Sequence, residues 1–340
     1  MQRGDEALQN IKILHIGLGP LGQKIIKYIS ERKGLETIGA VDTDPEKAGK
    51  DIGEICSLGK NLGIRVSSDP ASAMAGKKPD AVLLTTVSSL EKLACQVEEI
   101  AGYGLNIVST CEELSFPWGV QTELALKLDG IAKKHNIAIL GTGVNPGFLM
   151  DYLPIVLTGV CQEVKSIKVS RIQDASFRRI PFKKKIGAGL TLEEFNEKCK
   201  QGALRHVGLT ESIHMIADRM KWKLDGAEDI ITPVVAAEDT ISGETVIQAG
   251  TILGVQQIGK GYINGEEKIT LVFRASIGEK NPADTIEIKG LPDITSTIPG
   301  GVNGDVATCA ITINAVRSIT GLPAGLKTMV DLPVTAFFSE

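Results

Sequence analysis

Glu112 and Glu113 stand side by side in Ser109-Thr110-Cys111-Glu112-Glu113-Leu114-Ser115-Phe116-Pro117-Trp118, between small polar residues and two large rings. A carboxylate kept partly from water by such rings has its pKa raised toward the range of a working general base. Glu112 is the first candidate for that role and Glu113 the second. Two solvated loop acids are the alternative. Cys111 offers a nucleophile, but a buried inert thiol accounts for it more simply.

Gly17-Leu18-Gly19-Pro20-Leu21-Gly22 has the spacing G-x-G-x-x-G. In that arrangement Gly17 allows a tight turn, Gly19 lets backbone approach a pyrophosphate, and Gly22 lets a helix pack near a strand. A helix opening at Pro20 and Leu21 would turn its free N–H groups and positive dipole end toward the phosphates. Pro20 lacks an N–H, a loss that first helical positions tolerate. Asp42 follows Gly22 by 20 residues, the distance at which an acid meets ribose hydroxyls. Its charge repels a 2′-phosphate, so NAD(H) is the expected cofactor. Lys47 and Lys50 lie near enough to leave NADP(H) open.

Small and hydroxyl residues cluster at Thr85-Thr86-Val87-Ser88, at Thr110 and at Gly141-Thr142-Gly143-Val144-Asn145-Pro146-Gly147-Phe148. Thr86, Val87, Ser88 and Thr110 would leave room for a nicotinamide ring, and the Asn145 amide would hydrogen-bond its carboxamide. Trp118, Phe148, Tyr152 and Phe177 are expected to wall a substrate pocket. His206 lines it or is structural. Arg178, with Arg179 and Lys183-Lys184-Lys185, reads as an anchor for a substrate carboxylate or as a solvated basic face.

These groups work together only if strands end beside one another. Apolar runs at 11–16, 37–42, 81–86, 106–110 and 137–140 read as buried strands, with helices after Gly19, over 90–103 and over 120–135. The alternation predicts a doubly wound parallel sheet of the Rossmann type, with ligands at the strand C-termini. Beyond Asn145 the pattern changes. Residues 164–172, 269–275 and 285–288 alternate apolar and polar, and 212–223 is helix-like. This predicts a second α+β domain with an open mixed or antiparallel sheet. The expected division is 1–146, 147–290, and a C-terminal segment 291–340, helical over 302–320, that returns to the first domain.

Composition excludes other classes. The chain of 340 residues is 43% hydrophobic and 23% charged, too apolar for disorder. A net charge of −4 gives no electrostatic footprint for nucleic acid. No apolar run reaches the 18 residues of a membrane span. The six cysteines form no C-x-x-C pair and the four histidines show no metal spacing, so no metal is expected. Reduced thiols point to a cytoplasmic protein. Aromatics are scarce at 4%, and none lies between Tyr28 and Tyr103.

The segments 17–22, 109–118, 143–148 and Gly300-Gly301-Val302-Asn303-Gly304-Asp305 resemble the 2,4-diaminopentanoate dehydrogenases and the related native amine dehydrogenases. The resemblance covers nearly the whole chain. It implies a homodimer that catalyses NAD(P)-dependent oxidative deamination of an amine to a ketone or aldehyde plus ammonia, reversibly. A glutamate after the fifth strand is the catalytic residue of that group, and Glu112 takes its place here. The chain lacks the His-His pair of true dihydrodipicolinate reductases. It also lacks the lysine that sugar and inositol dehydrogenases carry after this strand. A reductase of another oxo acid or cyclic imine, and a non-catalytic NADH sensor, are the competing expectations.

Overall fold

The computed structural model describes residues 10–176, 180–242 and 245–339. They form two compact units, Met1–Phe148 with Gly304–Glu340, and Leu149–Asn303.

The first unit is built on strands β1 (Ile11–Ile16), β2 (Leu35–Val41), β3 (Val66–Ser67), β4 (Ala81–Leu84), β5 (Asn106–Ser109) and β6 (Ala138–Gly141), all parallel, in the order β6-β5-β4-β1-β2-β3. Every residue of β4 and β6 is buried. Strands covered on both faces read as continuous apolar runs, which is why these segments stood out. Between the strands run helices α1 (Pro20–Ser30), α2 (Ile52–Ile55), α3 (Pro70–Met74), α4 (Leu90–Ala101) and α5 (Thr122–Lys134). α1 buries Ile25, Ile26 and Ile29 on one face. The ring-free stretch of sequence supplies aliphatic side chains to this core, and a ring, Trp118, packs on it from further along the chain.

The second unit begins with α6 (Tyr152–Leu157) and strand β7 (Glu163–Asp174), followed by α7 (Ile180–Lys185), α8 (Leu192–Lys200) and α9 (Leu209–Met220). Strands β8 (Gly226–Val235), β9 (Thr240–Ser242), β10 (Thr245–Ile247), β11 (Ile252–Ile263), β12 (Glu266–Ser276), β13 (Ala283–Leu291) and β14 (Ile294–Pro299) complete it. Six form one open sheet, β14-β13-β7-β12-β11-β8, in which β7 and β12 are parallel and the other neighbours antiparallel. β9 and β10 form a separate ladder. The expected open mixed sheet is present. Burial alternates along β11 and β12, so one face packs inward, and α9 lies against β8, β11 and β12. The helix starts at Leu209 instead of Ser212 because Gly208 in a left-handed conformation opens it. The break expected near 290 moves to 303. Residues 294–299 turn back as β14 and pair with β13, Ala283 opposite Pro299 and Ile288 opposite Ile294.

After Asn303 the chain re-enters the first unit. Helix α10 (Gly304–Ile319) lies against α1 and β5, and β15 (Gly325–Lys327) adds in parallel to the free edge of β6. No helix among the described residues is long and apolar enough to cross a membrane.

Candidate active site

The C-terminal ends of β1, β4, β5 and β6 are tied into a row. The Thr85 N–H donates to Ile16 O at 2.8 Å, the Thr110 N–H to Leu84 O at 3.2 Å and the Thr142 N–H to Ser109 O at 2.9 Å. The loops after these strands therefore emerge along one edge, where open α/β sheets bind ligands.

The glycine loop is the first of them. Gly17 has φ +95°, and a Cβ there would stand 2.7 Å from Thr85 O. A Cβ on Gly22 would stand 2.1 Å from Gly17 O, so helix and turn touch only because Gly22 is bare. Gly19 differs, because a Cβ there would meet nothing within 4 Å. No neighbouring group among the described residues therefore requires a glycine there. α1 starts at Gly19 with Pro20 in its first turn, no side-chain cap and no acid there, so the end of its dipole is uncompensated. Leu21 is half-buried in the same turn. Thr85, which the motif did not single out, holds the loop by donating its hydroxyl to Gly17 O at 2.7 Å. The neighbouring Thr86 is exposed and donates to Gln96 Oε1 at 2.6 Å. Val87 packs against the core, and Ser88 accepts the Cys111 thiol on its carbonyl.

Asp42 follows the last residue of β2. It accepts the Leu18 N–H at 2.6 Å, the Asp44 N–H at 2.9 Å and Lys47 Nζ at 3.1 Å. Burial alone would push its pKa up, but these backbone and lysine donors hold it below the ordinary carboxylate value. The acid thus anchors the glycine turn through Leu18 as well as ending the strand.

The two adjacent glutamates separate. Residues 112–114 form one 3-10 turn after β5. Gly141 admits it, since a Cβ there would lie 2.5 Å from the Leu114 carbonyl carbon. Glu113 Oε2 accepts the Leu90 N–H at 2.7 Å and Gln121 Nε2 at 2.8 Å. Glu112 is half-buried, and its carboxylate makes no hydrogen bond or ion pair among the described residues. Cys111 is 1% exposed, and burial, with both glutamates nearby, pushes its thiol up to about 12. It stays protonated. Trp118 packs against the core of the parallel sheet beside Val87.

The loop after β6 is held by α10 and the C-terminal segment. The Val144 N–H donates to Thr308 Oγ1 at 3.3 Å and Thr142 Oγ1 to Met329 Sδ at 3.0 Å. Within it Asn145 is 9% exposed, and both Oδ1 and Nδ2 lack a partner among the described residues. A buried amide without partners costs about 1–3 kcal/mol unless a ligand satisfies it. An open Gly19, an uncapped helix end, Asp42 and an orphaned amide together fit a nicotinamide dinucleotide. Phe148, half-buried, ends this loop.

In the second unit, Tyr152 is 8% exposed, and burial raises its phenol pKa. The preceding Asp151 is fully buried and accepts the Tyr152 N–H and the Ser212 hydroxyl. His206 is pushed down to about 4, first by burial and then by the charges of Lys185 and Arg171, so its ring is neutral. The ring packs on Phe273, centroids 4.3 Å apart, and its Nδ1 lies 2.9 Å from Val207 O. Gln257 clamps the His206 backbone from both sides, accepting its N–H and donating to its carbonyl. Phe177, Arg178 and Arg179 lie outside the described residues.

Known proteins resemble this chain along its length. Residues 148–340 match the family model described as 2,4-diaminopentanoate dehydrogenase C-terminal domain, and residues 11–110 match that of the dihydrodipicolinate reductase N-terminus. The chain is 32% identical to the 2,4-diaminopentanoate dehydrogenase of Acetoanaerobium sticklandii, over 96% of this chain and 94% of that protein. It is 21% identical to an amine dehydrogenase of Streptomyces virginiae, over 94% and 95% of the two chains. Among solved structures, an amine dehydrogenase from Mycobacterium smegmatis shares the fold with a TM-score of 0.83 at 21% identity, covering 97% of this chain and 98% of that one.

Proposed function

The chain belongs to the 2,4-diaminopentanoate dehydrogenase family, and from that premise we propose that it is an NAD(P)-dependent amine dehydrogenase. The reaction is the reversible deamination of 2,4-diaminopentanoate or a simple primary amine to a ketone or aldehyde and ammonia. The observation that carries this reading is Glu112, an uncommitted carboxylate at the row of strand ends, beside a second carboxylate that is fully committed.

The bound nicotinamide supplies the hydride acceptor. Gly17, Gly19 and the start of α1 hold its diphosphate, Asp42 the adenosine ribose, and Asn145 its carboxamide. Glu112 takes a proton from the substrate ammonium, so that a neutral amine loses hydride from the adjacent carbon. That proton passes to solvent, and the restored carboxylate then takes a proton from the water that adds to the iminium carbon. Proton return to nitrogen releases ammonia. One base serves both steps because each requires a proton acceptor at the same carbon. NAD(H) is the preferred cofactor, and the working form is a homodimer.

The test is NADH oxidation with candidate carbonyl substrates, with and without ammonium. Ketone-dependent oxidation that requires ammonium supports the reading, and oxidation independent of ammonium rejects it. Within the panel, 2-amino-4-oxopentanoate set against simple ketones and aldehydes assigns the substrate class. Light scattering checks the dimer.

A further inference from the structure

The loop that carries Asn145 is held from outside itself. It doubles back between two glycines. A Cβ on Gly147, at φ +115°, would stand 2.6 Å from Gly143 N, and one on Gly143 would stand 3.1 Å from Pro146 O. Glycines permit such a turn but do not stiffen it. Two side chains from the C-terminal part of the same unit tether it. Met329 Sδ accepts the Thr142 hydroxyl at 3.0 Å, and Thr308 Oγ1 accepts the Val144 N–H at 3.3 Å. The second tether falls one residue before Asn145.

Thr308 can serve the loop because of how its helix uses it. A helical threonine commonly spends its hydroxyl on the carbonyl four residues back. Thr312 does so, donating to Thr308 O at 2.7 Å. The Thr308 hydroxyl instead meets a backbone N–H 164 residues away in the chain. Its mount is firm. Cys309, Ile313, Ala315, Val316 and Ile319 of α10 are fully buried, and Asn314 Oδ1 accepts Arg32 Nη1, just past α1, at 2.7 Å. The Asn145 amide has no partner of its own among the described residues, so its aim depends on the backbone that bears it. An oriented hydrogen bond to a ligand tolerates little displacement of that backbone.

We propose that Thr308 is a positioning residue for the nicotinamide end of the dinucleotide site. Its hydroxyl fixes Val144 and so aims the Asn145 amide at the carboxamide. The proposal rests on the dehydrogenase reading above and adds to it a residue that acts through the loop.

The test is calorimetric titration of NADH and of ADP-ribose, which lacks the nicotinamide, without amine. The proteins are wild type, Thr308→Val, Thr308→Ala, Thr308→Ser, Asn145→Leu and the double variant Asn145→Leu with Thr308→Val. Wild type is expected to bind both ligands, NADH the tighter. Thr308→Val, which keeps the shape and removes the acceptor, should weaken NADH at least about fivefold and leave ADP-ribose within about twofold. Thr308→Ala should follow it, and Thr308→Ser should keep the wild-type affinities. On the Asn145→Leu background, Thr308→Val should change NADH binding by less than about twofold, because the two residues act as one unit. A loss shared equally by NADH and ADP-ribose, no loss at all, or a full loss that persists on Asn145→Leu would overturn the Thr308 assignment alone. Failure of wild type to bind either ligand would overturn the dehydrogenase reading and the assignment with it.

Discussion

The Glu113 carboxylate receives the Leu90 N–H at 2.7 Å, so the cap of α4 comes from a loop 23 residues further along the chain. Ser89, at the N-cap position, makes no capping bond of its own. Glu113 therefore satisfies an otherwise orphaned donor and places negative charge at the positive end of the helix dipole. The carboxylate of its neighbour Glu112 has no such partner among the described residues and is the base of the proposed reaction. Glu112→Gln should lose at least about 100-fold in kcat with dinucleotide affinity retained. Glu113→Ala should instead destabilise the protein by about 1 kcal/mol and lower kcat far less. Steady-state kinetics and thermal melts on the two variants decide it, and a reversed pattern would exchange the roles.

Gly19 and Gly22 should behave oppositely. Gly19→Ala adds a methyl where nothing stands within 4 Å, so melting should be unchanged while dinucleotide affinity falls. Gly22→Ala drives a methyl to 2.1 Å from Gly17 O and should cost about 1–3 kcal/mol or more in stability. If Gly19→Ala binds NADH like the wild type, the loop does not cradle a diphosphate.

Asn145, proposed to hold the carboxamide, should trade stability for function. Its amide is buried with neither end paired, so Asn145→Leu should hold or raise the melting temperature. Turnover should fall at least about tenfold, the usual scale for one lost oriented hydrogen bond. Intact turnover combined with a large loss of stability would mark Asn145 as structural.

His15 makes stability depend on pH. It is 1% exposed in β1, its Nε2 is 3.1 Å from Thr37 Oγ1, and burial lowers its pKa to about 3. The unfolded chain takes up the proton near 6.5. Between those values the unfolded state holds more protons, so stability is full above 6.5 and declines as pH falls toward 3. At pH 5 the loss from this one group is about 2 kcal/mol. Urea unfolding of wild type and His15→Leu at pH 7.5 and pH 5 measures it. His206 and His214, also lowered, remain in both proteins and cancel in the difference. Equal pH dependence in the two would remove His15 as the cause.

What was legible in the sequence was local. The glycine loop, its helix and Asp42 lie within 26 residues, and spacing alone relates them. Thr85 escaped because of two consecutive threonines at a strand end only one meets Gly17, and the register of β1 on β4, Ile16 beside Leu84, selects it. The capping role of Glu113 escaped for the same reason, since its partner Leu90 opens a helix 23 residues earlier. β14 escaped because Ile294-Thr295-Ser296-Thr297-Ile298-Pro299 is an edge strand in which no residue is fully buried, so its apolar pattern is weak. The Lys47 contact was visible only as nearness in sequence until the turn brought its ammonium onto Asp42.

The placement of β15 has a consequence for biosynthesis. The parallel sheet is not closed until residues 325–327 have left the ribosome, although β6 is complete at residue 141. At about 5–20 residues per second, the β6 edge waits roughly 10–40 s for its partner. The unit 149–303 is contiguous and has all its strands before then. An unpaired, wholly apolar edge of this kind templates pairing with other chains. The parallel-sheet half, although its first strand is synthesised first, is therefore the half finished last.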